Sequence, residues 1–169
     1  CVRQLLVTGM VAPSVFIGNM FVHLSRNPDL QTRLRAAPSI VPAAVEEYLR
    51  LYSPYRGMAR TARKDVEFNG RKILAGEPIS LVYTSANRDE SVFENGETFI
   101  LDRPNLKRHI AFGGGPHSCP GAPLARMMFR ITLEEALARS AAFEVDGEIK
   151  MALWAEWGTN SVPLRFTPA

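Results

Sequence analysis

The sequence predicts a mainly α-helical fold with a small β-sheet, and three observations lead there. Residues 2–24 and the run from Ala122 to Leu137 are dense in apolar residues at helical spacing, the pattern of helices embedded in a core. Asn69-Gly70 stands between the alternating runs Asp65-Val66-Glu67-Phe68 and Lys72-Ile73-Leu74, a strong short-range hairpin signal. An apolar share of 46% over 169 residues is ordinary for one globular domain with a real core.

In residues 2–24 the apolar side chains lie all round the helix, so burial is expected along its length, with a kink at Pro13. Thr8, Gly9, Ser14, Gly18 and Asn19 keep its unbroken apolar runs far below the ~20 residues of a membrane span, and it has no signal-peptide flank. The turn Ser25–Asp29 leads to a short helix with Asn27 as cap and Pro28 at its first position. A stop follows at Ala36–Ser39, and Pro42 opens a helix over Ala43–Leu51 that ends at Ser53-Pro54. In that helix Glu47 and Arg50 share one face; taken alone they read as a solvated ion pair worth a fraction of a kcal/mol. A connector, Tyr55–Arg63, precedes three short strands, 65–68, 72–74 and 79–83, expected to form one sheet. Residues 93–108 read as an irregular loop.

After Cys119 a helix carries Leu124, Met127, Met128, Phe129, Ile131, Leu133 and Leu137 over most of its circumference, with Arg126, Arg130 and Glu134 as one wet edge. Its methionines read as core, not ligands. The tail reads as short strands around turns at Asp146-Gly147 and Gly158-Thr159-Asn160, with Trp154 and Trp157 as packing residues.

The chemistry concentrates in Phe112-Gly-Gly-Gly-Pro-His-Ser-Cys-Pro-Gly121. Four glycines and two prolines around one histidine and one cysteine dictate a shaped loop. Cys119 falls at a helix N-terminus, where free N–H groups and the helix dipole favour a thiolate, able to act as a metal ligand or a nucleophile. A zinc site needs about four placed ligands, and Cys1, Cys119, His23, His109 and His117 lack finger spacing.

The spacing Phe112-x-x-Gly115-x-His117-x-Cys119-x-Gly121 resembles the cysteine-ligand loop of the cytochrome P450 family, in its soluble bacterial form. The resemblance implies that Cys119 is the axial ligand of a haem b iron, where a thiolate pushes electron density toward the metal and favours O–O cleavage. It implies that Gly113, Gly114 and Gly115 leave room for a flat macrocycle, that Phe112 keeps water from the sulfur, and that His117 reaches a haem propionate. Pro120 lacks an N–H that could point at the sulfur, which is expected to lower the iron potential.

The resemblance places Glu47 and Arg50, about 70 residues before the loop, in the family's buried Glu-x-x-Arg pair, with Arg103 as third partner. Arg60 takes the place of an Arg that pairs with a propionate, and a guanidinium fork suits a carboxylate. Arg56 reads as a weaker candidate, facing substrate. Ser85–Asp89 resembles the short helix after the sheet. Lys107, Arg108 and Arg103 read either as a basic patch that steers a ferredoxin or flavin reductase or as ordinary charges on a solvated loop. Residues 2–24 match the second half of the helix over the distal face of the haem. There many members carry an acid and an alcohol that relay protons; this chain has Val11 and Ala12.

The expected fold is therefore the C-terminal part of a single cytochrome P450 domain: distal-helix half, Glu-x-x-Arg helix, small sheet, meander, Cys loop, following helix and C-terminal hairpins. Cys1 inside an apolar run, with no leading Met, reads as a fragment lacking the N-terminal half and inactive alone. The expected function is a haem-thiolate monooxygenase acting on a small organic substrate. Two alternatives stand beside it: a peroxide-driven enzyme, because Val11 and Ala12 lack the relay, and a non-catalytic haem-binding remnant. A net charge of +3 is too mild to argue for nucleic acid. Two distant cysteines give no disulfide framework and fit a cytoplasmic protein.

Overall fold

A computed structural model describes residues 2–153 and 156–169. Helix α1 (Val2–Ser25), α2 (Pro28–Ala36) and α3 (Val41–Leu51) lead into strands β1 (Met58–Thr61), β2 (Val66–Phe68), β3 (Arg71–Ile73) and β4 (Pro78–Leu81). The short α4 (Tyr83–Ala86) precedes an irregular segment and the long α5 (Ala122–Arg139). Strands β5 (Ser140–Val145), β6 (Lys150–Met151), β7 (Thr159–Ser161) and β8 (Leu164–Pro168) complete the chain.

The core lies where α1, α2, α3 and α5 meet. Phe16, Met20 and Leu24 of α1, Leu34 of α2, Ala44 and Leu49 of α3 and Leu133 of α5 are fully buried. Each large one contributes roughly 1.5–3 kcal/mol by leaving water. The Phe16 and Phe129 rings, centroids 4.1 Å apart, tie α1 to α5. His23 sits in an aromatic cluster with Tyr48, Tyr52 and Phe99, its Nδ1 2.9 Å from the Tyr48 hydroxyl. Burial, reinforced by Arg26, lowers the pKa of this histidine. The α5 C-terminus is capped from a distance, since Arg35 Nε donates to the carbonyls of Leu137 and Ser140, groups that a helix end leaves without partners.

Helix α1 runs through Pro13, and burial begins there. Val2, Leu6, Val7, Met10 and Val11 are exposed, whereas Val15, Phe16, Met20, Phe21 and Leu24 are buried. The expectation of burial along its whole length is thus corrected: α2, α3, α5 and the C-terminal strands cover only its second half. Over Leu6–Ser25 it is long and apolar enough to cross a membrane, with a mean hydropathy of 1.4, but from Val15 onward its apolar residues are packed into the core.

Other expectations are also revised. Asn27 does not cap α2 through its side chain; its Nδ2 donates back to the His23 carbonyl. The small sheet is two separate antiparallel ladders, β1 with β4 and β2 with β3, and β1 lies inside the expected connector. Its four residues are all exposed, so no alternation marked them. The hairpin between β2 and β3 turns on Asn69 and Gly70 with φ of 49° and 75°, the left-handed pair that a type I′ turn requires. The helix expected at 85–89 is α4, at 83–86. Thr159 and Asn160 extend β7 against β6 and do not form a turn. In α5, Leu124, Met127 and Ile131 are exposed, so only one side of that helix is embedded. Trp154 lies outside the described residues; Trp157 is 36% exposed, beneath the guanidinium groups of Arg56 and Arg88.

The irregular stretch from 87 to 103 is held by buried charge. Glu47 and Arg50 are 0% exposed and Arg103 is 6% exposed. Glu47 Oε2 accepts from Arg50 Nε at 2.7 Å, and its Oε1 accepts from Arg50 Nη2 at 2.7 Å, Ile100 N at 2.9 Å and Arg103 Nε at 3.2 Å. Arg50 also donates to the carbonyls of Asn87, Gly96 and Thr98, and Arg103 to those of Glu94, Asn95 and Thr98. A chain without a ladder thereby satisfies its backbone with two guanidinium groups.

Removing Glu47 leaves both guanidinium groups buried without their counter-charge, at a cost of roughly 3–5 kcal/mol, a large part of the ~5–15 kcal/mol that holds a domain folded. Urea unfolding of the Glu47→Ala protein is expected to show that loss; a midpoint equal to that of the parent contradicts it.

Candidate functional site

The loop from Ile110 to Ala122 is built by its own backbone. Gly113 N donates to the Ile110 carbonyl at 2.9 Å, Ser118 N to Gly115 at 3.1 Å, and Cys119 N to Phe112 at 2.9 Å. Gly113 and Gly115 have φ of 69° and 63°, the left-handed region that a side chain disfavours. Nothing lies within 4 Å of a Cβ placed on Gly114 or Gly115, so these two glycines face open space, while one on Gly113 would meet the His117 carbonyl and the Tyr83 hydroxyl. A one-turn 3-10 helix, Gly115–His117, carries an exposed His117. Cys119 follows, exposed, and α5 begins at Ala122 with Gly121 as its cap residue. The sulfur lies over that first turn, 3.7 Å from the Cβ that Gly121 lacks.

Phe112 is half-buried with the Arg126 guanidinium 4.7 Å above its ring. Arg60 is exposed on β1, opposite Ile79 in the ladder, and Nη1 donates to the carbonyl of Ala59. Burial raises the pKa of the Tyr55 hydroxyl, and neighbouring Glu156 adds to the rise. Val11 is an exposed apolar residue and Ala12 is half-buried. Lys107 and Arg108 are exposed on a one-turn 3-10 helix. Arg103 is not part of that surface, because its guanidinium is committed to Glu47 and the carbonyls around it.

These residues fit a haem. An exposed thiol at a helix N-terminus stands beside a glycine run that a Cβ would otherwise fill, as a flat ligand bonded through its metal needs. Among the described residues no three of His, Cys, Asp or Glu converge on a point that could hold a bare metal ion.

Sequence reasoning missed two connections. Glu46 bridges His109 and Arg126: Oε2 stands 2.9 Å from His109 Nε2 and 3.1 Å from Arg126 Nη2, and Arg126 Nε donates to Oε1. Ala111 N donates to His109 Nδ1 at 3.2 Å, and Nε2 is the ring nitrogen that faces Glu46. Burial pushes the Glu46 carboxyl up, but the hydrogen bonds and charges of His109 and Arg126 more than offset this and hold it at about 2. Asn87, fully buried, donates to Ser53 Oγ at 2.9 Å and accepts from Ile110 N at 2.8 Å, joining the end of α3 to the root of the loop. The doublet Glu46-Glu47 is visible in the sequence, but partners 63 and 80 residues away are not.

Comparison with known proteins accords with this geometry. A sequence profile described as cytochrome P450 matches residues 39–150. The chain is 39% identical to cytochrome P450-terp of a Pseudomonas species over 90% of its own length and 36% of that protein's. It is 44% identical to cytochrome P450-SU2 of Streptomyces griseolus over 81% of its length and 34% of that protein's. A substrate-free cytochrome P450 from Mycobacterium marinum superposes with a TM-score of 0.94 at 34% identity, over 98% of this chain and 43% of that one. The chain therefore spans about a third of the length of these curated relatives.

Because the folded state holds the Glu46 carboxyl at about 2 instead of the ordinary 4.5, its contribution to stability is present above pH 4.5 and is lost as the pH falls toward 2. Glu46→Gln is expected to flatten that part of the acid-unfolding curve. Urea midpoints measured in steps across that range check this, and equal acid slopes in the two proteins contradict it.

Proposed function

The chain belongs to the cytochrome P450 family, and from that footing we propose that it is the C-terminal, haem-binding part of a single-domain haem-thiolate monooxygenase. One observation carries the reading: an exposed cysteine sulfur, at a helix N-terminus, in a loop whose Gly114 and Gly115 have open space in front of them. In this reading Cys119 ligates the iron of haem b, and the bound haem supplies oxygen activation. Phe112 screens the sulfur from water. Gly113 lets the loop turn away from the macrocycle. Arg60, which forms no ion pair among the described residues, and His117 hold propionates. Glu47, Arg50 and Arg103 are structural.

The reaction proposed is insertion of one oxygen atom from O2 into a small organic substrate, in the cytoplasm, with electrons from a ferredoxin or flavin reductase. The exposed Lys107 and Arg108 support an acidic electron donor, whose approach such charges steer. One of the relatives is a steroid C26-monooxygenase and another a linalool 8-monooxygenase. The segment taken alone is proposed to be inactive, its relatives being about two and a half times its length. Val11 and Ala12 favour a second reading, a peroxide-driven haem-thiolate enzyme, because neither side chain carries a proton. A non-catalytic haem-binding remnant is the third.

The test is the reduced carbon monoxide difference spectrum of the intact haem-loaded protein. The parent is expected to show the thiolate signature and Cys119→Ser to lose it; a Cys119→Ser spectrum identical to that of the parent overturns the reading. Product formed with peroxide alone, or only with reductant and O2, separates the two enzymes, and neither condition yields product from a remnant.

A further inference from the structure

Resting on the haem-thiolate reading, we propose that Glu46 is a positioning residue for the cysteine loop: through Arg126 and His109 it fixes Phe112 beside Cys119 and so helps to set the potential of the thiolate-bound iron. Glu46 touches neither the loop glycines nor the sulfur, so its effect must pass through its partners. Three segments meet at its carboxylate: α3, which carries it, the root of the loop through His109, and the first turns of α5 through Arg126. Both partners then reach Phe112. The Arg126 guanidinium lies 4.7 Å from the Phe112 ring centroid, a cation–π contact whose direction depends on the carboxylate behind it. The His109 ring is 6.4 Å from the same ring, and its Nδ1 accepts the Ala111 N–H, one residue before Phe112. Phe112 in turn accepts the Cys119 N–H at its carbonyl, 2.9 Å away. The line of contact therefore runs from carboxylate to guanidinium to ring, and from the ring's own residue to the cysteine backbone.

The arrangement is set up to hold. His109 has 3% of its side chain exposed, Glu46 22% and Arg126 40%, so the bridge is sheltered at His109 and partly open at Arg126, and its bonds are charge-assisted. It is also distinct from the Glu47 set, which faces the opposite partners, Arg50 and Arg103. Loss of the Glu46 charge frees Arg126 to swing into solvent and leaves Phe112 able to move. In the haem-loaded protein a displaced Phe112 would let water approach the liganded sulfur and donate to it, which is expected to raise the potential.

The midpoint potential of the intact haem-loaded protein is measured for the parent, Glu46→Gln, Glu46→Asp and Arg126→Met, with Asp102→Asn as a control at an exposed ion pair. Glu46→Gln and Arg126→Met are expected to raise the potential, and their combination to raise it no further than the larger single change. Glu46→Asp recovers part of the shift, and Asp102→Asn leaves the parent value. In haem-free protein, hydrogen exchange at the Cys119 amide is expected to quicken several-fold in Glu46→Gln. A Glu46→Gln protein with the parent's potential and exchange rate overturns the proposal. Should that variant fail to fold, Arg126→Met decides: an unmoved potential and exchange rate overturn the proposal, and shifts in both support it. The two readings fail separately, since a parent without the thiolate signature refutes the haem assignment while the amide exchange still judges the role of Glu46.

Discussion

A carboxylate with no access to water, gripped by two guanidinium groups, is the constraint on which the rest of this structure depends. Glu47, Arg50 and Arg103 bring three charges inside, and desolvating each is expensive enough that the group must be fully satisfied to persist. The satisfaction is geometric. Every carboxylate oxygen is engaged, and the outward donors of both arginines are taken up by backbone carbonyls between Asn87 and Thr98. A segment with little hydrophobic pattern and almost no regular structure thus acquires one conformation, because only that conformation aims its carbonyls at the buried cations.

That order passes to the cysteine loop. Asn87 offers its carbonyl to Arg50 and its side chain to Ser53 and Ile110, so the start of the loop is tied to the end of α3. One residue earlier on α3, Glu46 faces a different way and holds the other flank of the loop through His109 and Arg126. Adjacent helical residues diverge by about 100° (3.6 residues per turn), and two consecutive glutamates on one helix therefore serve two separate cation sets. The helix is the shared support, and its buried Ala44, Tyr48 and Leu49 anchor it in the core.

How much of this could be read from residues alone follows from the range of each interaction. Local chemistry was legible: Asn69-Gly70 dictates positive φ at two positions, and the glycine-rich loop with its cysteine ahead of a helix states its own shape. Glu47 and Arg50 are three residues apart, so their shared face is visible; their burial is not, because a solvated pair has the same spacing. β1 was invisible because Met58-Ala59-Arg60-Thr61 is exposed throughout and its partner lies beyond another hairpin. The half-exposed state of α1 was hidden for the opposite reason: its apolar residues surround the axis, and the pattern does not say which neighbours reach it. Arg126 looked like one member of a wet stripe, since nothing in its own helix signals a carboxylate 80 residues upstream.

The polar groups that α1 retains bear on the proposed chemistry. From Val11 to His23 the polar side chains are those of Ser14, Asn19 and His23. Ser14 Oγ donates to the Met10 carbonyl at 2.6 Å, Asn19 Nδ2 to the Trp157 carbonyl at 2.9 Å, and His23 pairs with the Tyr48 hydroxyl. Each is engaged in holding the helix or docking it against the C-terminal strands and α3. A helix whose polar side chains are so engaged, with Val11 and Ala12 where a relay would stand, has no acid of its own to offer between those residues. In a monooxygenase of the kind proposed, residues 11–23 of this helix would leave proton supply to water, to the substrate or to groups elsewhere.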